Sequence, residues 1–141
     1  MSRGAIAASA RARRASGKAA RDILVVDDDP FFLALFSKIG RRFNYTDIEL
    51  AQTVGELAYC LDNYSFQVIF LDHQLLDGFS TAVLKDLRQN NRFGDAAVVV
   101  ASGFARARLI ELYGPLGVRF YLRKPVSPAE MADVFTAIRS R

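Results

Sequence analysis

Three short apolar runs constrain the fold of this chain more than anything else in it: Ile23 to Val26, Val68 to Leu71 and Ala96 to Ala101. Each is four to six residues long, rich in branched side chains and without alternation, the pattern of a strand covered on both faces. All are far short of the roughly 20 residues a membrane span needs, so no membrane insertion is expected. Between them lie segments of helical period. Pro30 to Arg42 repeats apolar residues at Phe32, Leu35, Phe36 and Ile39, with Asp29 as N-cap and Pro30 in the first turn. Asp47 to Gln52 alternates like a strand near a sheet edge. Thr53-Val54-Gly55-Glu56 has the form of a capping box opening a helix to about Leu61. A helix from about Ser80 to Gln89 turns Ala82 or Val83, Leu84 and Leu87 inward. A shorter helix spans Arg106 to Tyr113 and breaks at Gly114-Pro115, and Val118 to Leu122 forms a last strand. Ser127-Pro128-Ala129-Glu130 then starts a helix that ends near Arg139.

Five strands alternating with five helices predict an α/β protein with a doubly wound parallel sheet and right-handed crossovers. Such sheets hold their ligands at the carboxyl ends of the strands. Here those ends carry Asp27 and Asp28, Asp72, Ser102 and Lys124. Three carboxylates in one place repel each other until one takes up a proton, unless a cation relieves them. Hard oxygen ligands suit Mg²⁺, which leaves coordination positions for phosphate oxygens. A lysine ammonium and a serine hydroxyl can hold further phosphoryl oxygens. The set is suited to moving a phosphoryl group onto or off a carboxylate, with Asp72 as nucleophile. Asp29 reads as a helix cap, and His73, the sole histidine, as a loop side chain at the mouth of the pocket.

Composition matters mainly through its unevenness. Residues 1–21 hold six basic residues and no acid, whereas the other 120 hold 13 basic and 15 acidic groups. The overall charge of +4 therefore belongs to the first segment, and direct DNA binding by the folded body is not expected. With Ile6 as its one sizeable apolar side chain, segment 1–21 is expected to be a flexible tail preceding a domain at 22–141. A basic, Ala-rich helix formed on an acidic partner, or an organelle transit peptide, are the other readings of that composition. Cys60 is the single cysteine, which excludes an internal disulfide and fits a reducing, cytoplasmic setting.

ILVVDDDP at 23–30, VIFLD at 68–72, VVVASG at 98–103 and FYLRKP at 120–125 together resemble the receiver domain of two-component response regulators, over about residues 22–140. The resemblance implies a flavodoxin-like (βα)₅ fold with strand order 2-1-3-4-5. It implies Asp72 as phosphoacceptor and Asp27, Asp28, Asp72 and the Gln74 backbone carbonyl as ligands of Mg²⁺. It further implies Lys124 as the site lysine, Ser102 as the switch hydroxyl and Tyr121 as the switch aromatic. The phosphodonor is then a histidine kinase or phosphotransfer protein in a phosphorelay. Output is a change in protein binding at the face of the fourth helix, fifth strand and fifth helix. Arg106, Arg108, Arg119 and Arg123 would make that face basic if they gather there, and each taken singly reads as solvated surface charge. The chain's only catalysis would be its own aspartyl phosphorylation and dephosphorylation. Ending near Arg141, it reads as a stand-alone receiver. One departure stands out: from Asp72 to Asp77-Gly78 the loop is two residues shorter than the family's D-x-x-M-P-x-M-D-G and lacks its proline. The alternative function is an interaction module of the same fold that signals without phosphorylation through this altered loop.

Overall fold

The computed structural model describes residues 18–89 and 95–140. Among these described residues nine strands and five helices follow one another: β1 (Ala19–Ala20), β2 (Ile23–Val26), α1 (Pro30–Arg42), β3 (Ile48–Ala51), α2 (Val54–Asn63), β4 (Tyr64–Ser65), β5 (Val68–Leu71), β6 (Gln74–Leu75), β7 (Gly78–Phe79), α3 (Ser80–Gln89), β8 (Ala97–Ser102), α4 (Arg106–Tyr113), β9 (Phe120–Arg123) and α5 (Pro128–Arg139). Five of the strands form one all-parallel sheet in the order β3-β2-β5-β8-β9. Numbered along the chain, that is 2-1-3-4-5, the expected doubly wound order. Its ladder registers Val26 with both Ala51 and Leu71, and Leu71 with Val100, so three strand ends come out level.

Every residue of β2, β5 and β8 is buried, and alternate residues feed opposite cores. Leu24, Val26, Ile69, Leu71, Val98 and Val100 pack with Leu57, Leu61, Leu84 and Leu109 from α2, α3 and α4. Ile23, Val25, Val68, Phe70, Val99 and Ala101 pack with Leu33, Phe36, Met131 and Phe135 from α1 and α5. Phe135 is wholly buried at the centre of the second core. Its ring lies 5.1 Å from Phe43, 5.5 Å from Tyr45 and 5.2 Å from Phe70, between centroids.

The helix starts follow the sequence signals with one instructive deviation. Asp29 accepts from the Phe31 N–H, and Ser127 and Glu130 complete a full capping box. At α2, Thr53 accepts from the Glu56 N–H, but Glu56 reaches back to the Gln52 N–H instead of closing the box on Thr53. The first N–H groups of α2 are satisfied from elsewhere: Asp77 accepts from Val54 at 2.7 Å and Gly55 at 3.2 Å.

Two small sheets lie outside the expected pattern. Gln74–Leu75 and Gly78–Phe79 form an antiparallel hairpin closed by Leu76-Asp77, so the shortened loop is a tight ribbon. Gly78 has φ +155°, a backbone that disfavours side chains. At the opposite end of the sheet, Ala19–Ala20 pairs in parallel with Tyr64–Ser65. Arg21 adds an ion pair to Glu49 at 3.0 Å and lies 4.5 Å over the Tyr64 ring, and Lys18 donates to the Leu61 carbonyl. Residues 18–21, expected in the tail, are thus part of the fold, because the backbone of β4 offers an edge to which they add. The remainder of the expected tail, residues 1–17, lies outside the described residues. So do Phe93 and Gly94, where the sequence suggests a turn leading into the Ala96 to Ala101 run.

Smaller shifts concern boundaries. β8 includes Ser102, and β9 begins at Phe120, two residues later than expected. Gly114–Leu116 continues α4 as a 3₁₀ turn before Gly117 at φ 87°.

Candidate phosphoryl-transfer site

β2 and β5 end side by side, so the residues after them share one cleft. Asp27 is 1% exposed. Its Oδ1 accepts from the Asp29 N–H at 2.9 Å, and its Oδ2 accepts from Lys124 Nζ at 2.6 Å. The same ammonium stands 3.4 Å from Asp72 Oδ2 and 4.2 Å from the centre of the Phe32 ring. Oxygens of Asp27, Asp28 and Asp72 all lie within 4.8 Å of one another. Lys124 is brought here by the sheet: its N–H donates to the Ser102 carbonyl at 2.8 Å, extending the β8–β9 ladder past its last pair, and the Lys124–Pro125 peptide is cis.

The Asp72 carboxyl is pushed up from its ordinary 3.8 to about 6. Burial is the main cause, the Asp27 and Asp28 charges add to it, and Lys124 pulls the other way. One ammonium does not offset three carboxylates. The cleft, about 490 Å³, is lined by Asp28, Asp72, Gln74, Ser102 and Lys124, with Leu75, Leu76 and Phe104 at its apolar side. The donor set is all oxygen, carries surplus negative charge and is partly open, which fits a hard divalent cation that keeps some of its waters.

The structure brings Asp27, Asp28, Asp72, Ser102 and Lys124 together and places Gln74 on the same cleft. Ser102 is 4% exposed, and its Oγ accepts from the Phe104 N–H at 3.3 Å. Tyr121, paired with Val100 two residues before Ser102, is buried, and its hydroxyl donates to the Val118 carbonyl. Of the four arginines, Arg106 donates to the Tyr121 carbonyl and Arg108 pairs with Glu111; Arg119 and Arg123 are exposed. His73 differs from its expected place. It is 5% exposed and does not line the cleft, because its imidazole has an aromatic nest of Phe79, Phe104 and Tyr113 to enter.

Two supporting residues had no signal in the sequence. Ser80 donates through Oγ to the Asp72 carbonyl and through its N–H to the His73 carbonyl, fixing the backbone after Asp72. Asp77 fastens the hairpin to α2 through partners 22 and 23 positions upstream, a distance over which local pattern says nothing.

The model of the response regulator receiver domain matches residues 23–136. The chain belongs to this family. A stress response regulator protein 1 from Scheffersomyces stipitis is 20% identical over 116 residues, which cover 82% of this chain and 40% of that protein. The chain thus spans about two-fifths of that relative's length. Among solved structures, a CheY-like receiver domain protein from Methanospirillum hungatei aligns at TM-score 0.73 and 24% identity, over 86% of this chain and 96% of the other. The chemotaxis response regulator CheY4 of Vibrio cholerae aligns at TM-score 0.75 and 17% identity, over 84% and 98%. At such identities these likenesses speak for the fold. In the receiver, the acid cleft falls at the switch point between β2 and β5, where the sheet changes winding direction.

Proposed function

We propose that this receiver takes a phosphoryl group onto Asp72 from a histidine kinase or phosphotransfer protein and signals through phosphorylation-dependent protein binding. The observation that carries this reading is the convergence of the Asp27, Asp28 and Asp72 oxygens within 4.8 Å around a lysine that reaches both Asp27 and Asp72. Asp27, Asp28, Asp72 and the Gln74 carbonyl would hold Mg²⁺. Bound there, it supplies the positive charge that lets an anionic phosphoryl group approach three carboxylates.

In the transfer, an Asp72 carboxylate oxygen forms a bond to phosphorus as the bond to the donor's imidazole nitrogen breaks. The donor nitrogen keeps the electron pair, and Asp72 becomes an acyl phosphate. Lys124 holds a phosphoryl oxygen, and Ser102 Oγ, at the end of β8, donates to another as the loop after it closes. Tyr121 adjusts behind Ser102, and the surface of α4, β9 and α5 changes its packing, a population shift between two arrangements. Above pH 6 Asp72 is mostly ionised even without a cation, as a nucleophile must be. A phosphodonor of this class would make the exchange a cytoplasmic one. No helix among the described residues is long and apolar enough to cross a membrane.

Incubation with Mg²⁺ and a small acyl phosphate tests the reading. It predicts a base-labile phosphoryl adduct that Asp72→Asn abolishes; no adduct, or one that survives the substitution, overturns it. The tight hairpin, with Leu76 79% and Phe79 49% exposed, favours as a second reading an interaction module independent of phosphorylation. That reading predicts partner affinity unchanged by Asp72→Asn.

A further inference from the structure

We propose that Tyr113 is a positioning residue for the acceptor site and, through His73, couples the state of Asp72 to α4. The inference rests on the reading of Asp72 as phosphoacceptor and adds a route by which its state leaves the cleft.

His73 follows Asp72 directly in the chain, yet its imidazole belongs to the interior. Nδ1 shares a hydrogen bond of 2.5 Å with the hydroxyl of Tyr113, 40 positions away in the last turn of α4. The ring meets Phe104 edge-on at 4.8 Å, Phe79 at 5.2 Å and Tyr113 edge-on at 5.4 Å. These three rings come from different parts of the site. Phe79 closes the hairpin that carries Gln74. Phe104 stands two residues after Ser102, and its N–H donates to Ser102 Oγ. Tyr113 belongs to the helix whose outer surface carries Ile110, 42% exposed. One imidazole therefore touches the segment that follows the acceptor, the loop that follows the switch hydroxyl, and α4.

The physical link is asymmetric packing around a single polar contact. Tyr113 is wholly buried, so its hydroxyl has no water to fall back on if the imidazole moves, and an unmet buried donor is costly. When Ser102 moves toward a phosphoryl oxygen, its bond to the Phe104 N–H and the Phe104 ring are displaced with it. That ring lies against His73, and His73 can follow only by carrying Tyr113 along or by breaking their bond. The Tyr121 hydroxyl is bonded instead to Val118, in the segment before its own strand, and the residue's tie to α4 runs through Arg106. Rings that merely filled space would need no hydroxyl at position 113, and this separates a positioning role from plain core packing.

His73 is the sole histidine, so its imidazole signals in an NMR spectrum are unambiguous. The experiment records them, with the backbone amide of Ile110, in the full chain with Mg²⁺ before and after addition of beryllofluoride, for the wild type and Tyr113→Phe. In the wild type both signals are expected to shift. In Tyr113→Phe, which removes one oxygen and keeps the ring, beryllofluoride should still bind. The equilibrium between the two α4 environments read at Ile110 should fall about fivefold, what an ordinary hydrogen bond of roughly 1 kcal/mol is worth. His73→Phe should reproduce the effect and add nothing to it in the double variant, and it serves alone if Tyr113→Phe does not fold. An unmoved His73 signal in the wild type, or a full Ile110 response in the variants, overturns the coupling while leaving Asp72 as acceptor. A wild type that takes up neither beryllofluoride nor a phosphoryl group overturns both.

Discussion

Replacing the proposed acceptor with its neutral isostere, Asp72→Asn, should stabilise the metal-free protein, and by an amount that depends on pH in a defined direction. The Asp72 carboxyl ionises at about 6 in the fold against an ordinary 3.8, so the native state binds this proton more tightly than the unfolded chain does. Its contribution is therefore most favourable below about pH 3.8 and is lost between there and about pH 6. A displacement of about two pH units corresponds to roughly 3 kcal/mol. The side chain is only 12% exposed, so solvent screening removes little of it. In EDTA at pH 7.5 the variant should exceed the wild type by about 2 to 3 kcal/mol, or roughly 10 °C in Tm for a domain of this size. The advantage should be about half as large at pH 5, about a fifth as large at pH 4 and gone by about pH 3, where Asp72 is protonated in both states. Mg²⁺ at about 100 times its Kd should return roughly 2.7 kcal/mol to the wild type and less to the variant, which lacks one ligand charge. Urea and thermal unfolding at three pH values, with EDTA or Mg²⁺, measure all of this. Equal stability at every pH, or an advantage that grows on acidification, would refute the electrostatic account of the cleft.

Other perturbations follow from named contacts. Lys124→Met leaves the Asp27 carboxylate, 2% exposed in its side chain, without an ionic partner, and should cost about 3 kcal/mol of stability in urea melts. It also removes the one group that lowers the Asp72 pKa, so the pH dependence of phosphorylation should move upward. Asp77→Ala releases the hairpin from the Val54 and Gly55 N–H groups and should weaken Mg²⁺ binding, measured by calorimetric titration, more than it lowers Tm. Phe135→Ala removes a wholly buried ring from the α1–α5 core and should cost about 4 kcal/mol, read as a lower urea midpoint at unchanged m.

The sheet and the main members of the site were legible because both are written in local pattern. Runs such as Val68 to Leu71 declare themselves as doubly buried, and a parallel sheet puts all their carboxyl ends on one edge, where Asp27, Asp72, Ser102 and Lys124 must gather. The supports of that site were not legible, because each depends on a partner far along the chain. Asp77 is an ordinary turn residue until α2 lies beside it. His73 looks like a loop histidine until Tyr113 arrives from α4, and Ala19–Ala20 gains a strand only from the edge at Tyr64–Ser65. The shortened segment after Asp72 was visible as a departure, but its form as a hairpin follows from the two-residue turn and the cap at α2 acting together.

The central claim is that Asp72, and no other carboxylate in the cleft, accepts the phosphoryl group. Treating the chain with Mg²⁺ and an acyl phosphate, reducing the product with borohydride and mapping peptides by mass would test it directly, since only an acyl phosphate is reduced to the alcohol. The account predicts a homoserine side chain at position 72, with Asp27, Asp28 and Asp77 unmodified. Reduction at another aspartate, or none at all under conditions that phosphorylate a known receiver, would contradict it.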